Sequence, residues 1–373
     1  MLDRIDLTLP LQHDVGISAG ASGASHLVGL LSLATAVPPN VVGQEEAAAM
    51  AQLLFTDLFE RSPSMASVFA NTGIRKRHVA RPVSWYLEPR GWPERTAAYV
   101  EEGSRLFVEV ASEALDAAGC AASDVDVVVF ISSTGIATPS LDAVVHRQMG
   151  FRRDIERVPV FGLGCAGGVS GLAIASRIAA ARPGSTVLMV SLELCSLAFR
   201  SDLLDKINVI STALFGDGAA ACVLRSGEAG IAMIDGAGEH LWPDTLGIMG
   251  WSMDPVGFGV LLAPDLPTFA AANLGPAVED ILAGIGLGTA DIERFICHPG
   301  GAKVVTAIEH SLELQRGSLD HERTVLGDFG NMSAPTVLFV LGRAIAEGLP
   351  KRTALLAMGP GFTASCVSLV RGA

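Results

Sequence analysis

FGLGCAGGVSGLAIASR, residues 161–177, and DFGNMSAPTVLFVLGR, residues 328–343, are two versions of one segment. Each opens at a glycine turn, sets one polar side chain at a helix start (Cys165, Asn331), and runs almost uncharged to an arginine 12 residues further on (Arg177, Arg343). An apolar strand follows each, VLMVS at 187–191 and TALLAMG at 353–359. Upstream, the amphipathic RLFVEVASEALDAAG leads into SDVDVVVFISSTG, and EDILAGIGLG leads into ADIERFICHPG. Aligning Phe130 with Phe295 puts Ser133 opposite His298, 32 residues before Cys165 and 33 residues before Asn331 respectively. Downstream, GDGAAACVLRSG (216–227) matches GPGFTASCVSLVRG (359–372).

Shared register over several elements reads as a duplicated unit of alternating strands and helices. Continuous apolar strands such as VVVFI are buried on both faces, as parallel or mixed sheets under helices require. The helices after Cys165 and Asn331 carry almost no charge, so they are sandwiched between sheets. The expected fold is a five-layered αβαβα arrangement of two duplicated halves. Residues 1–25 read as a loosely held extension, 26–230 as the half with Cys165, and 231–373 as the half with His298 and Asn331.

Composition narrows the function. The chain has 373 residues, of which 50% are hydrophobic and 17% charged, suiting a multilayered interior or a homodimer. A net charge of −13 argues against nucleic-acid binding. The six cysteines form no CxxC pair, so neither zinc nor a disulfide framework is expected, and a reducing cytoplasm fits. The uncharged stretches 15–43 and 158–176 are broken by glycine and proline, so no signal peptide or membrane span is expected.

Cys165 lies in a strand-to-helix turn where peptide N–H groups favour a thiolate. Taken singly it is either a buried structural thiol or a nucleophile; the turn and the repeat favour the nucleophile. His298 ends a buried strand at a glycine turn, a setting no other histidine shares, against the alternative of a satisfied core histidine. Asn331 is a helix cap by position alone, but its equivalence with Cys165 points towards the same site.

The runs FGLGCAGG, ICHPGG, GDFGNMSAPTVLFVL and GPGFT, in this order, resemble type III polyketide synthases, the chalcone and stilbene synthase family of the thiolase superfamily. The resemblance covers nearly all the chain after residue 28, and LATAVPPN (33–40) resembles the family's opening strand and turn. It implies an acyltransferase in which Cys165 takes an acyl group from a thioester with the help of His298. Malonyl-CoA then loses carbon dioxide, and its oxyanion is held by His298 and Asn331. No cofactor is implied beyond the CoA thioesters that serve as substrates. Phe215 matches the ring that separates cavity from CoA tunnel, with Phe258 as the second ring, and Thr138, Cys195, Ala198 and Ser333 match the cavity wall. The basic residues that meet CoA phosphates in plant relatives are replaced by Ser64, Ser67 and Asn71, which leaves room for delivery by an acyl carrier protein. The following Arg75, Lys76 and Arg77 read as a solvated run. Small residues at Ala137, Thr138, Cys195 and Ala198 suggest a fatty acyl starter and alkylpyrone or alkylresorcinol products. A 3-ketoacyl carrier-protein synthase of the initiating type, making one condensation, is the nearest alternative. A cysteine hydrolase is the remote one.

Overall fold

The computed structural model describes residues 27–372, so the expected 1–25 extension lies outside the described residues. Its first strands are β1 (Val28–Ala36), β2 (Asn40–Gly43), β3 (Lys76–Val79), β4 (Val127–Ile131), β5 (Glu156–Val160), β6 (Thr186–Leu194) and β7 (Asp217–Ser226). Then come β8 (Ala232–Leu241), β9 (Met249–Met253), β10 (Phe258–Leu262), β11 (Arg294–Cys297), β12 (Arg352–Gly359) and β13 (Thr363–Arg371). β2 pairs with β3, and β9 with β10, as separate antiparallel ribbons. The other nine form one sheet in the order β11-β12-β13-β8-β1-β7-β6-β4-β5.

The duplication is visible in that order. β4 and β6 run parallel, β6 and β7 antiparallel, and β7 and β1 antiparallel. β11, β12, β13 and β8 repeat the same three relations. β5 is the exception, for among the described residues the second half has no strand beyond β11. The last strands of the two runs meet where Val28–Leu30 of β1 pair with Ala232–Ile234 of β8. The two expected sheets are therefore continuous along one line, which removes two exposed edges.

Helix Gly167–Ala181 touches β4, β6 and β7 on one side and β8, β12 and β13 on the other. It packs against helix Thr336–Glu347, so the two copies of the opening motif form the middle layer. Helix Trp92–Ala118 covers β1, β6 and β7 from outside, and helix Leu266–Gly284 covers β8 and β13, completing five layers. Leu172, Val337, Leu338 and Leu341 are fully buried between the sheets, each contributing about 1.5–3 kcal/mol of transfer free energy. The helices approach closely at their starts: a Cβ at Gly168 would stand 2.2 Å from the Ala334 carbonyl oxygen. Arg177 and Arg343 are exposed, marking where each helix leaves the sandwich. The Gly164–Ala181 segment is apolar and long enough to cross a bilayer, but here it is the central core helix.

Candidate active site

The middle layer delivers Cys165 and Asn331 to one cavity. Cys165 sits in the tight turn Gly164–Ala166 that runs into helix Gly167–Ala181. The turn is held from two sides. Ser133 Oγ accepts the amides of Gly162 (3.1 Å) and Gly164 (3.3 Å). Ser133 is itself fixed through its amide to the Glu193 carboxylate, at 2.9 Å. From the far side, Gly359 packs so closely that a Cβ there would stand 2.5 Å from the Leu163 carbonyl oxygen.

His298 follows β11, and its amide donates to the Leu356 carbonyl of β12 at 2.8 Å. The residue is 5% exposed, and neither ring nitrogen has a hydrogen-bond partner among the described residues. Asn331 is spent on one side only. Its Oδ1 accepts the Ser333 amide (2.8 Å), and Nδ2 donates to the Gly300 carbonyl (3.2 Å). An amide nitrogen carries two hydrogens, so one remains for the cavity. That Asx turn holds Ser333 at φ 58°, a conformation costing about 1–3 kcal/mol for a non-glycine residue. The Asn331 backbone is pinned to the residues before and after Phe215: its amide donates to Leu214 (2.8 Å) and its carbonyl accepts from Gly216 (3.0 Å).

Cys165, His298, Asn331, Ser333, Phe215 and Cys195 line one cavity of about 500 Å³. A narrower apolar pocket of about 90 Å³ lies behind Cys195, Phe215, Trp251 and Val260, which wall both spaces. Ala198 lines this side pocket. Thr138 is exposed on its loop and lies on neither wall. Phe258 is also absent from both walls; its ring packs on Trp92 and Trp251, with centroids 4.9 Å and 5.2 Å apart. Trp251, unassigned from sequence, is the aromatic ring on that side of the cavity, and its indole N–H donates to the Ser133 carbonyl at 2.9 Å. Ser67 and Asn71 stand on the wall with Lys303, whereas Ser64 does not. Of the basic run, Arg75 and Lys76 are exposed, but Arg77 is 3% exposed. It caps the carbonyls of Thr212, Ala213 and Phe215, so it is not a solvated residue. Ser133, set opposite His298 by the repeat, is thus a further site residue, carrying the Cys165 turn.

Electrostatics keep the resting site neutral. Burial pushes the Cys165 thiol up to about 11, with the Glu193 charge adding to it; hydrogen bonding to Ser333 and Asn331 pulls the other way. Burial alone drives the His298 imidazole down to about 3. Glu193 is raised to about 8 by burial, against its hydrogen bonds from Thr134 and Ser133. Moving a proton from thiol to imidazole would create an ion pair with no net charge, whose mutual attraction opposes both penalties. A neutral imidazole also offers one N–H and one lone pair. The arrangement can therefore generate a sulfur nucleophile and hydrogen-bond an oxyanion in the same space.

Comparison with known proteins agrees with this fold. The N-terminal domain of chalcone and stilbene synthases matches residues 17–228, and their C-terminal domain matches 234–372. A 1,3,6,8-tetrahydroxynaphthalene synthase of Streptomyces peucetius subsp. caesius is 37% identical over 376 residues, covering 97% of this chain and 100% of that protein. A putative chalcone synthase of Bacillus subtilis (strain 168) is 35% identical over 350 residues, covering 90% and 96%. The crystal structure of 1,3,6,8-tetrahydroxynaphthalene synthase from Streptomyces coelicolor A3(2), a bacterial type III polyketide synthase, superposes with a TM-score of 0.88 at 30% identity. That match covers 92% of this chain and 99% of the other. With both halves matched in order, the chain belongs to the chalcone and stilbene synthase family and is a type III polyketide synthase, a condensing acyltransferase of the thiolase-like fold.

Proposed function

We propose that the enzyme extends an acyl starter on Cys165 by repeated decarboxylative condensation with malonyl-CoA. His298 takes the Cys165 proton, and the thiolate attacks the starter thioester, expelling the CoA thiol. Malonyl-CoA then loses carbon dioxide, and the electrons of the broken C–C bond pass to its α-carbon and thioester oxygen. The His298 ring N–H and the second Asn331 amide hydrogen hold that oxygen. The carbanion attacks the acyl carbonyl and the bond to Cys165 breaks, regenerating the thiolate for the lengthened chain. One observation carries this reading. Both ring nitrogens of His298 are buried with no hydrogen-bond partner among the described residues, on a cavity that also holds Cys165 and Asn331. Buried polar groups without partners are costly unless a ligand completes them.

For the starter we propose an aliphatic acyl-CoA, leading to alkylpyrone or alkylresorcinol products. The side pocket supports this, since Val42, Ala47, Met50, Leu54 and Ala198 give it an apolar lining, and each methylene buried there contributes about 0.8 kcal/mol. The similarity to tetrahydroxynaphthalene synthases favours a second reading, in which the product is 1,3,6,8-tetrahydroxynaphthalene. We also propose a homodimer: among the described residues β5 leaves a sheet edge open, with Phe161 exposed immediately after it and Ile136 exposed on the loop after β4. The test is incubation with malonyl-CoA and acyl-CoAs from acetyl to palmitoyl, read by mass spectrometry. Pyrones and resorcinols from octanoyl and longer starters are expected. Tetrahydroxynaphthalene from malonyl-CoA alone, with long starters ignored, would favour the second reading; a single extension would mark a one-step condensing enzyme. Malonyl-CoA left unconsumed in every mixture would overturn the class of reaction.

A further inference from the structure

β4 and β11 occupy equivalent places, but among the described residues only β4 has a neighbouring strand on its outer side. There β5 runs alongside, and the Ser132 amide donates to the Val160 carbonyl at 3.2 Å. Aligned through Phe130 and Phe295, Ser132 corresponds to Cys297, the residue before His298. Among the described residues β11 is the edge of the sheet, with β12 on one side only. Amides alternate along a strand. The His298 amide points to β12, where it meets Leu356, so the Cys297 amide points to the side that has no strand.

A carboxylate stands in the place of that strand. Glu322 Oε1 accepts the Cys297 amide at 2.9 Å. Glu322 is fully buried on helix Asp320–Phe329, which Gly330 ends immediately before Asn331. One hydrogen bond thus joins the strand that presents His298 to the helix that presents Asn331. It is a costly way to satisfy one amide, since Oε2 is buried with no partner among the described residues. Burial also pushes the carboxyl up to about 7, against the Cys297 amide that stabilises its charge. Protonated or not, it keeps an oxygen able to accept from Cys297.

We infer that Glu322 is a positioning residue for the condensation reaction, setting the His298 ring against Asn331 by replacing the missing outer strand of β11. Truncating it frees the end of β11 to shift while leaving the cavity wall untouched. A misplacement of even about 1 Å at a catalytic group costs up to about a hundredfold in rate. The inference rests on the proposed roles of His298 and Asn331, so the wild type supplies the control.

The experiment compares wild type, Glu322→Gln, Glu322→Met and Glu322→Asp in malonyl-CoA decarboxylation, with melting temperature recorded for each. Glu322→Gln keeps the acceptor oxygen and is expected to stay close to wild type. Glu322→Met should lower kcat by about tenfold or more with KM little changed, because binding surfaces are intact. Glu322→Asp retains charge but withdraws the acceptor by one methylene; it should show the same kcat loss, and it reads the geometry if Glu322→Met does not fold. A folded Glu322→Asp or Glu322→Met with wild-type kcat would overturn the inference, as would a Gln variant as slow as Asp. A wild type that does not decarboxylate malonyl-CoA would instead defeat the proposed function.

Discussion

Cys165 starts from a disadvantage, since burial raises its thiol to about 11 and leaves it dependent on a proton acceptor. Removing that acceptor exposes the dependence. In His298→Gln, alkylation of Cys165 by iodoacetamide should require alkaline pH, because a raised thiol pKa means the thiolate forms only as pH climbs towards that value. The wild type, able to form the ion pair, should react at neutral pH; equal pH profiles for the two proteins would break the link between Cys165 and His298. Asn331 is expected to act later in the cycle. Asn331→Ala should slow malonyl-CoA decarboxylation by about 10²–10³-fold, the scale of losing one oxyanion donor, while an unchanged rate would reduce Asn331 to a helix cap. Cys165, His298 and Asn331 were legible in the sequence because each ends or begins a repeated element. Arg77 was not, because three successive basic residues look alike until the fold turns one inwards to cap the Thr212 and Ala213 carbonyls of helix Lys206–Leu214.

Among elements, the β9–β10 hairpin was the least legible. Trp251 pairs with Val260 and Phe258 with Met253, so both rings lie on one face of the ribbon. A shift of two residues along a strand keeps the face but changes the neighbour. Trp251 meets the cavity, while Phe258 meets Trp92. Spacing and resemblance reach the face and not the step. The hairpin tip is tied down by contacts distant in sequence: Asp254 pairs with buried Arg200 (2.9 Å), and its carbonyl accepts the Trp92 indole (2.9 Å). Helix Gln44–Leu54 supplies the opposite side of the side pocket. Ala198→Phe should fill this pocket and shift preference from octanoyl and longer starters to acetyl or butanoyl, measured as kcat/KM across the acyl-CoA series. Unaltered chain-length preference would remove the pocket from the acyl path.

At the scale of the molecule, the duplicated frame buries carboxyl groups that the chemistry sits upon. Glu193 is raised to about 8, and Asp217 and Glu322 to about 7, in each case chiefly by burial. A carboxyl whose folded pKa exceeds its unfolded value binds more protons when native, so stability falls as pH rises between the two values. The melting temperature should therefore decline from about pH 5 to pH 8, within the window those raised values set. Glu193→Gln, which cannot ionise, should flatten the decline; an identical slope would show that Glu193 is ionised throughout. The layers and the repeat were readable because apolar periodicity records burial. The continuity of the nine strands was not, since the β1–β8 pairing involves only three residues on each strand. The central claim is that this frame brings Cys165 to His298 and Asn331 as the acyl acceptor, and peptide mass spectrometry after incubation with octanoyl-CoA tests it most directly. The account predicts an octanoyl thioester on the peptide containing Cys165, lost in Cys165→Ala; an adduct on Cys195 or Cys297, or one that persists in Cys165→Ala, would contradict it.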